Sequence, residues 1–124
     1  MKTRKKESHP PTTAFQRRVF AVLSRVPRGR VITYKQLAGL IGCRSCRAVA
    51  QALKRNPYAP KIPCHRVIAS DLTPGGFMGR SGGRAVRRKK ALLAAEGVLF
   101  KAGKLAEPGM LFATNSYDSE KVLP

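Results

Sequence analysis

The chain has 124 residues, enough for one domain with a modest core and too few for two. Its 43% hydrophobic content argues for a folded protein, and no apolar run approaches the ~20 residues a membrane span requires. Twenty-five Lys and Arg against six Asp and Glu give a formal charge of +19, which predicts salt-sensitive attraction to a polyanion. Nucleic acid is favoured over a membrane, because neither a long basic amphipathic helix nor a lipidation signal is present. Three cysteines, an odd number, without a signal peptide point to a reducing compartment and hence an intracellular protein, in the cytoplasm or nucleoid, or in the nucleus of a eukaryote.

Residues 1–11 read as a basic flexible tail and 114–124 as a disordered one, leaving 12–113 as the folded domain. Helical order is expected from Thr12 or Thr13, with Phe15, Val19, Phe20, Leu23 and Val26 on one face and Pro27 as its stop. A turn over Pro27-Arg28-Gly29-Arg30 leads to extended Val31-Ile32. Thr33 can then cap a short helix through Leu40-Ile41, closed by Gly42. Ser45 is placed to cap a second helix running to about Arg55. Two short helices joined by a tight turn suggest a helix-turn-helix, whose second helix normally reads DNA.

In that second helix Cys46, Val49, Ala50 and Leu53 form an apolar stripe, and Arg47, Gln51, Lys54 and Arg55 fall on the other side without an acidic residue among them. Asn56-Pro57-Tyr58-Ala59-Pro60 breaks the helix, and Ile62 to Ile68 is expected to be a strand or near-strand. A glycine-rich loop from Asp71 to Gly83 carries Phe77 and Met78. Arg84 to Ala95 reads as a helix ended by Glu96-Gly97. Val98-Leu99-Phe100 and Met110-Leu111-Phe112 are expected to pair as a hairpin around Ala102-Gly103-Lys104.

The chemistry concentrates in Pro63-Cys64-His65-Arg66-Val67. Proline stiffens the segment, and a thiol beside an imidazole is what an activated cysteine needs. A carboxylate that holds the imidazole would complete a relay; Asp71 lies in a Gly-flanked loop and the other acids are near the termini, so Glu96 is the best candidate. Cys43-Arg44-Ser45-Cys46 is a lone C-x-x-C lacking two further ligands for a tetrahedral metal, so no metal and no cofactor is expected, and Cys46 reads as core.

The five-residue motif resembles the active-site sequence of the O6-alkylguanine-DNA alkyltransferase family. Arg47-Ala48-Val49, Ala52-Leu53, Asn56-Pro57 and Ile62-Pro63-Cys64 have the order and spacing of that family's DNA-binding helix and hinge, and Val26-Pro27, Gly29, Val31, Thr33-Tyr34 and Gln36-Leu37-Ala38 match the segment before it. The resemblance covers roughly residues 13 to 97. It implies a mainly α fold with a small β component, a winged-helix-like helix-turn-helix domain. It also implies transfer of an alkyl group from O6-alkylguanine in double-stranded DNA to Cys64, once per molecule. By the same resemblance His65 and Glu96 assist the thiol, and Asn56 is the hinge residue of the catalytic set. Arg47 replaces the extruded base, Ala48 lies in the minor groove and Tyr34 crowds the target's 3′ phosphate, with Thr33, Gln51 and Lys54 completing the DNA contact. Leu53, Phe77 and Val67 would line the base pocket. A monomer is expected, with cooperative assembly on DNA left open.

There are departures. Phe77 stands where the family usually has a tyrosine, the segment from Met78 to Gly83 is longer than usual, and the amino-terminal domain that commonly precedes this fold has no counterpart in the sequence. A second reading is therefore a non-catalytic lesion-binding protein of the alkyltransferase-like group, which typically replaces the motif cysteine. A third, a helix-turn-helix regulator, explains the charge but not Cys-His-Arg.

Overall fold

The computed structural model describes residues 13–56, 62–77 and 82–112; both expected tails lie outside them, as do residues 57–61 and Met78 to Ser81. Among the described residues the chain forms four helices and two small two-stranded sheets.

Helix α1 (Ala14–Leu23) starts at Thr13, whose hydroxyl accepts from the Gln16 amide at 3.0 Å while the Gln16 side chain accepts from the Thr13 amide at 2.9 Å. It ends earlier than Pro27 dictates: Ser24 caps it, its hydroxyl donating to the Phe20 carbonyl at 2.8 Å. Val26 still reaches the core from the turn that follows. Strand β1 (Ile32–Thr33) leads into α2 (Tyr34–Leu40), opened by the same reciprocal cap between Thr33 and Gln36. Gly42, at φ +72°, reverses the chain after α2, and Ser45 caps α3 (Cys46–Lys54) by accepting from the Ala48 amide at 3.0 Å. These three helices pack on one another, and the buried Gln16 side chain donates across to the Ala52 carbonyl at 3.5 Å.

The apolar stripe of α3 is rotated from the expected one. Val49, Ala52 and Leu53 are buried, whereas Cys46 is exposed, as are Arg44, Ser45 and Arg47 around it. The cysteine segment also differs. Only β2 (Val67–Ile68) is strand; Cys64–Arg66 is a tight 3₁₀ turn, closed by the Arg66 amide donating to the Pro63 carbonyl at 2.9 Å. Proline at position 63 has no N–H for a ladder, so pairing cannot extend back through the motif.

β1 and β2 pair in parallel, Ile32 opposite Val67 and Thr33 opposite Ile68. Side chains alternate across this pair, so Ile32 and Val67 join the core of α1, α2 and α3, while Val31 and Ile68 face a second core with Leu93, Val98 and Leu105. That second core seats α4 (Gly83–Ala95). The hairpin that follows is tighter than expected: β3 (Phe100–Lys101) pairs with β4 (Lys104–Leu105). Leu111 does not join it. Instead it bridges to Val31 in parallel, the Phe112 amide donating to the Val31 carbonyl at 2.7 Å, because the turn at Ala102-Gly103 closes the hairpin after two residues and frees the later segment to cover the β1 edge.

Candidate active site

Cys64 sits in the 3₁₀ turn, 6% exposed, where α1–α3 meet β2. Burial pushes its thiol pKa up; a hydrogen bond with Asn56 and the charge of Lys89 pull the other way without cancelling it. A base is therefore needed to make this thiol reactive. Asn56, immediately after α3, is buried and donates from Nδ2 to the Ile62 carbonyl at 2.9 Å, which ties the end of α3 to the residue two before the cysteine.

The 3₁₀ turn carries His65 and Arg66 toward the C-terminal end of α4. His65 Nε2 lies 2.9 Å from Glu96 Oε2, and Arg66 grips the same carboxylate with two bonds, Nε to Oε1 and Nη2 to Oε2, both 2.9 Å. Its remaining nitrogen, Nη1, donates to the Val26 carbonyl at 2.9 Å. Burial alone would raise the Glu96 pKa, but the hydrogen bonds and charges of Arg66 and His65 outweigh it and hold the carboxyl down at about 2. The imidazole thus faces a permanently ionised, rigidly clamped carboxylate. The fork of Arg66, on which this rigidity depends, is not visible in the motif, since nothing in a sequence says which carboxylate an arginine finds.

Lys89 is the other residue that sequence reasoning misses. Its side chain is 0% exposed, and its ammonium donates to three carbonyls: Val67 and Pro74 at 2.6 Å and Gly76 at 2.8 Å. Burial lowers its pKa to about 8, with the charge of Cys64 acting in the opposite direction. An ammonium has three donors for three acceptors, whereas a neutral amine would leave one carbonyl unpaired. The signal was available: Lys89 lies three residues after Val86 and four before Leu93, on the stripe that faces the core. Replacing it with methionine leaves three carbonyls without a donor, at about 1–3 kcal/mol for each buried group. Lys89→Met is expected to lower the unfolding free energy by about 3 kcal/mol or more. The midpoint of urea unfolding measures it; an unchanged midpoint would mean that water replaces the ammonium.

Lys89 also holds the loop that forms one wall of a pocket. Gly75 has φ +74°, and a Cβ there would stand 3.2 Å from the Ala69 amide nitrogen, so glycine is required for the loop to fold back and bring Gly76 and Phe77 opposite α3. The pocket is a cleft open to solvent, lined by Tyr34, Ala50, Leu53, Lys54, Cys64, Gly76 and Phe77. Burial, then the Cys64 charge, raises the Tyr34 pKa, so its hydroxyl remains a donor in the pocket wall.

Leu53 and Phe77 line this pocket, and Val67 does not. It is fully buried in the first core, its strand position pointing it at Ile32 rather than at the pocket. Thr33 likewise is not a surface contact: it is 6% exposed and its hydroxyl is committed to the α2 cap. Arg47, Gln51, Lys54 and Arg55 are exposed along α3, and Ala48 is half-buried beside them. This exposed face ends at the pocket through Lys54. No group of three or more His, Cys, Asp and Glu side chains that could hold a metal occurs among the described residues.

A helix-turn-helix whose second helix borders an open pocket, with a buried thiol in its lining and a clamped His–Glu pair behind, defines an alkyltransferase-type DNA-binding domain. Residues 14–98 match the family described as 6-O-methylguanine DNA methyltransferase, DNA binding domain, and the chain belongs to that family. It is 49% identical over 86 residues to a methylated-DNA–protein-cysteine methyltransferase of Methanothermobacter thermautotrophicus, covering 69% of this chain and 46% of that protein. It is 48% identical over 87 residues to a protein of the same name from Saccharolobus islandicus, covering 70% and 53%. The chain thus spans about half the length of the curated relatives it matches. Among solved structures it resembles Mycobacterium tuberculosis OGT in complex with DNA, with TM-score 0.62 and 38% identity over 69% of this chain and 51% of that one. It also resembles S. pombe Atl1 in complex with damaged DNA containing O6-carboxymethylguanine, with TM-score 0.69 and 28% identity over 90% and 99%.

Proposed function

We propose that this protein repairs duplex DNA by taking the alkyl group of an extruded O6-alkylguanine onto Cys64, irreversibly and once. The observation that carries the reading is the placement of a buried thiol in the lining of an open pocket beside α3, one residue from a histidine clamped by an ionised carboxylate. Cys64 sulfur attacks the alkyl carbon; the S–C bond forms as the bond from carbon to O6 breaks. Successive side chains of a 3₁₀ turn diverge by roughly a third of a revolution, so His65 receives the thiol proton through an intervening water rather than directly. Glu96 orients the imidazole and stabilises its charge. The proton finally resides on the released guanine, whose ring nitrogen beside O6 lacks one while the alkyl group is present, so the transfer balances without a cofactor.

Base extrusion falls to α3. Arg47 fills the vacated stack, the small Ala48 permits approach to the minor groove, and Gln51, Lys54 and Arg55 meet phosphates. Leu53, Phe77 and Tyr34 enclose the base, Phe77 by stacking without the hydrogen bond a tyrosine would add. Arg47→Ala is expected to weaken binding on every duplex sequence, because it removes the group that fills the vacated stack and a cation from the α3 face, neither of which reads base edges. Each phosphate contact along α3 adds about 0.9 to the slope of log affinity against log salt, and titrations across a salt series measure it. Affinity indifferent to salt would refute the interface.

A duplex carrying one O6-methylguanine tests the chemistry. The peptide containing Cys64 should gain one methyl group, with one equivalent transferred per protein and no turnover. A second reading, a non-catalytic lesion sensor, draws support from the likeness to Atl1 along 90% of this chain and from Phe77. Tight lesion binding with no mass gain under reducing conditions would favour it.

A further inference from the structure

The site leaves one strongly charged surface unused, the outer side of α4. Lys89, Leu93 and Glu96 turn one side of this helix toward the Val67 and Gly76 carbonyls, the second core and the His65–Arg66 turn. At 100° per residue, Arg84 and Arg87 fall on the opposite side and Arg88 and Lys90 on its flanks. All four are exposed. Among the described residues none of the four has a carboxylate partner or makes a side-chain hydrogen bond. The pocket and Cys64 lie between α3, which lines it through Ala50, Leu53 and Lys54, and α4, which meets the cysteine turn from behind. Helix α3 packs in the first core and α4 on the second, with the cysteine turn between them, so Arg84 and Arg87 belong to a different layer of the fold from the exposed face of α3.

These charges oppose the stability of the helix that carries them. Like charges three and four residues apart repel, and cations near a helix start oppose its dipole, yet the first turn of α4 has no acidic residue. A phosphate backbone would relieve both penalties. From Arg84 to Lys90 the helix rises about 9 Å, a length over which a duplex carries about five negative charges, close to the four cations available. We propose that the outer face of α4 binds the backbone of a second segment of double-stranded DNA, so that one molecule holds two duplexes at once, α3 on the first and α4 on the second.

The test uses undamaged DNA, so it does not depend on alkyl transfer. One duplex is immobilised, the full-length protein is added at low salt, and capture of a second, fluorescent duplex is measured beside the mass of the complex. The wild type should capture the second duplex with one protein per pair of duplexes. The combined substitutions Arg84→Gln, Arg87→Gln, Arg88→Gln and Lys90→Gln should cut capture about tenfold or more, while affinity for a single duplex changes by less than about threefold. Circular dichroism verifies folding; should the quadruple variant misfold, the outward pair Arg84→Gln and Arg87→Gln alone should still reduce capture severalfold. Capture unaltered by the substitutions, no bridging by the wild type, or bridging that needs two proteins per duplex pair would each overturn the proposal. Displacement of the second duplex by phosphatidylserine vesicles but not by competitor DNA would overturn it in favour of a membrane surface.

Discussion

Cys64→Ala is expected to abolish alkyl transfer completely and to leave binding of O6-methylguanine duplexes within about threefold of the wild type. The asymmetry follows from the architecture. In the proposed interface the exposed residues of α3 supply the electrostatic attraction, and none of them depends on the thiol for its position. The remaining thiols cannot substitute: Cys46 is exposed on the first turn of α3, and Cys43 sits in the preceding link against the Ser45 amide at 3.3 Å, and neither lines the pocket. Cys64→Ser should be equally inactive, because a buried hydroxyl is far harder to ionise than a thiol. Electrophoretic binding assays and mass spectrometry of the reacted protein separate the two properties. Residual transfer in Cys64→Ala would place the acceptor elsewhere and sink the mechanism.

Glu96→Ala should produce the second-largest loss, in rate and in stability together. Arg66 and His65 are both nearly enclosed around this carboxylate, and removing it leaves the guanidinium uncompensated in the interior, a change that costs about 3–5 kcal/mol. The imidazole loses its orientation, and single-turnover transfer should slow by about 10²-fold or more. The pH dependence identifies the source. The Glu96 carboxyl is held at about 2 in the folded protein against an ordinary 4.5, so its contribution, about 3 kcal/mol, is present above pH 4.5 and is lost as pH falls toward 2. In Glu96→Gln this acid limb should disappear while stability near neutrality is already lower. Unfolding midpoints at pH 3 and pH 6 for both proteins decide it; parallel curves would show that Arg66 and His65 gain little from the carboxylate's charge.

Several features of the fold are readable without coordinates because they are local. Thr13 and Gln16, and again Thr33 and Gln36, are three residues apart, the spacing at which a side chain and an amide can satisfy each other, so helix starts are written in the chain. The partner of His65 is readable for a different reason. Acidic residues are so scarce between Ser8 and Ala106 that only Glu96 both follows a helix and could reach the motif, and the 2.9 Å contact is between these two side chains. Charge likewise forecasts a polyanion from composition alone.

The helices, the cysteine motif with its one available carboxylate and the excess of positive charge are thus legible in the chain, since caps, periodicity and scarcity act over short range or none. Tertiary structure alone decided the rest. The motif is a 3₁₀ turn rather than a strand because Pro63 denies it a ladder; Val67 points into the core because its partner is Ile32; Leu111 pairs with Val31 because the hairpin closes early. Lys89 is buried because three carbonyls from separate segments converge where its ammonium ends, and no residue-by-residue preference encodes a convergence of backbone groups from distant parts of the chain.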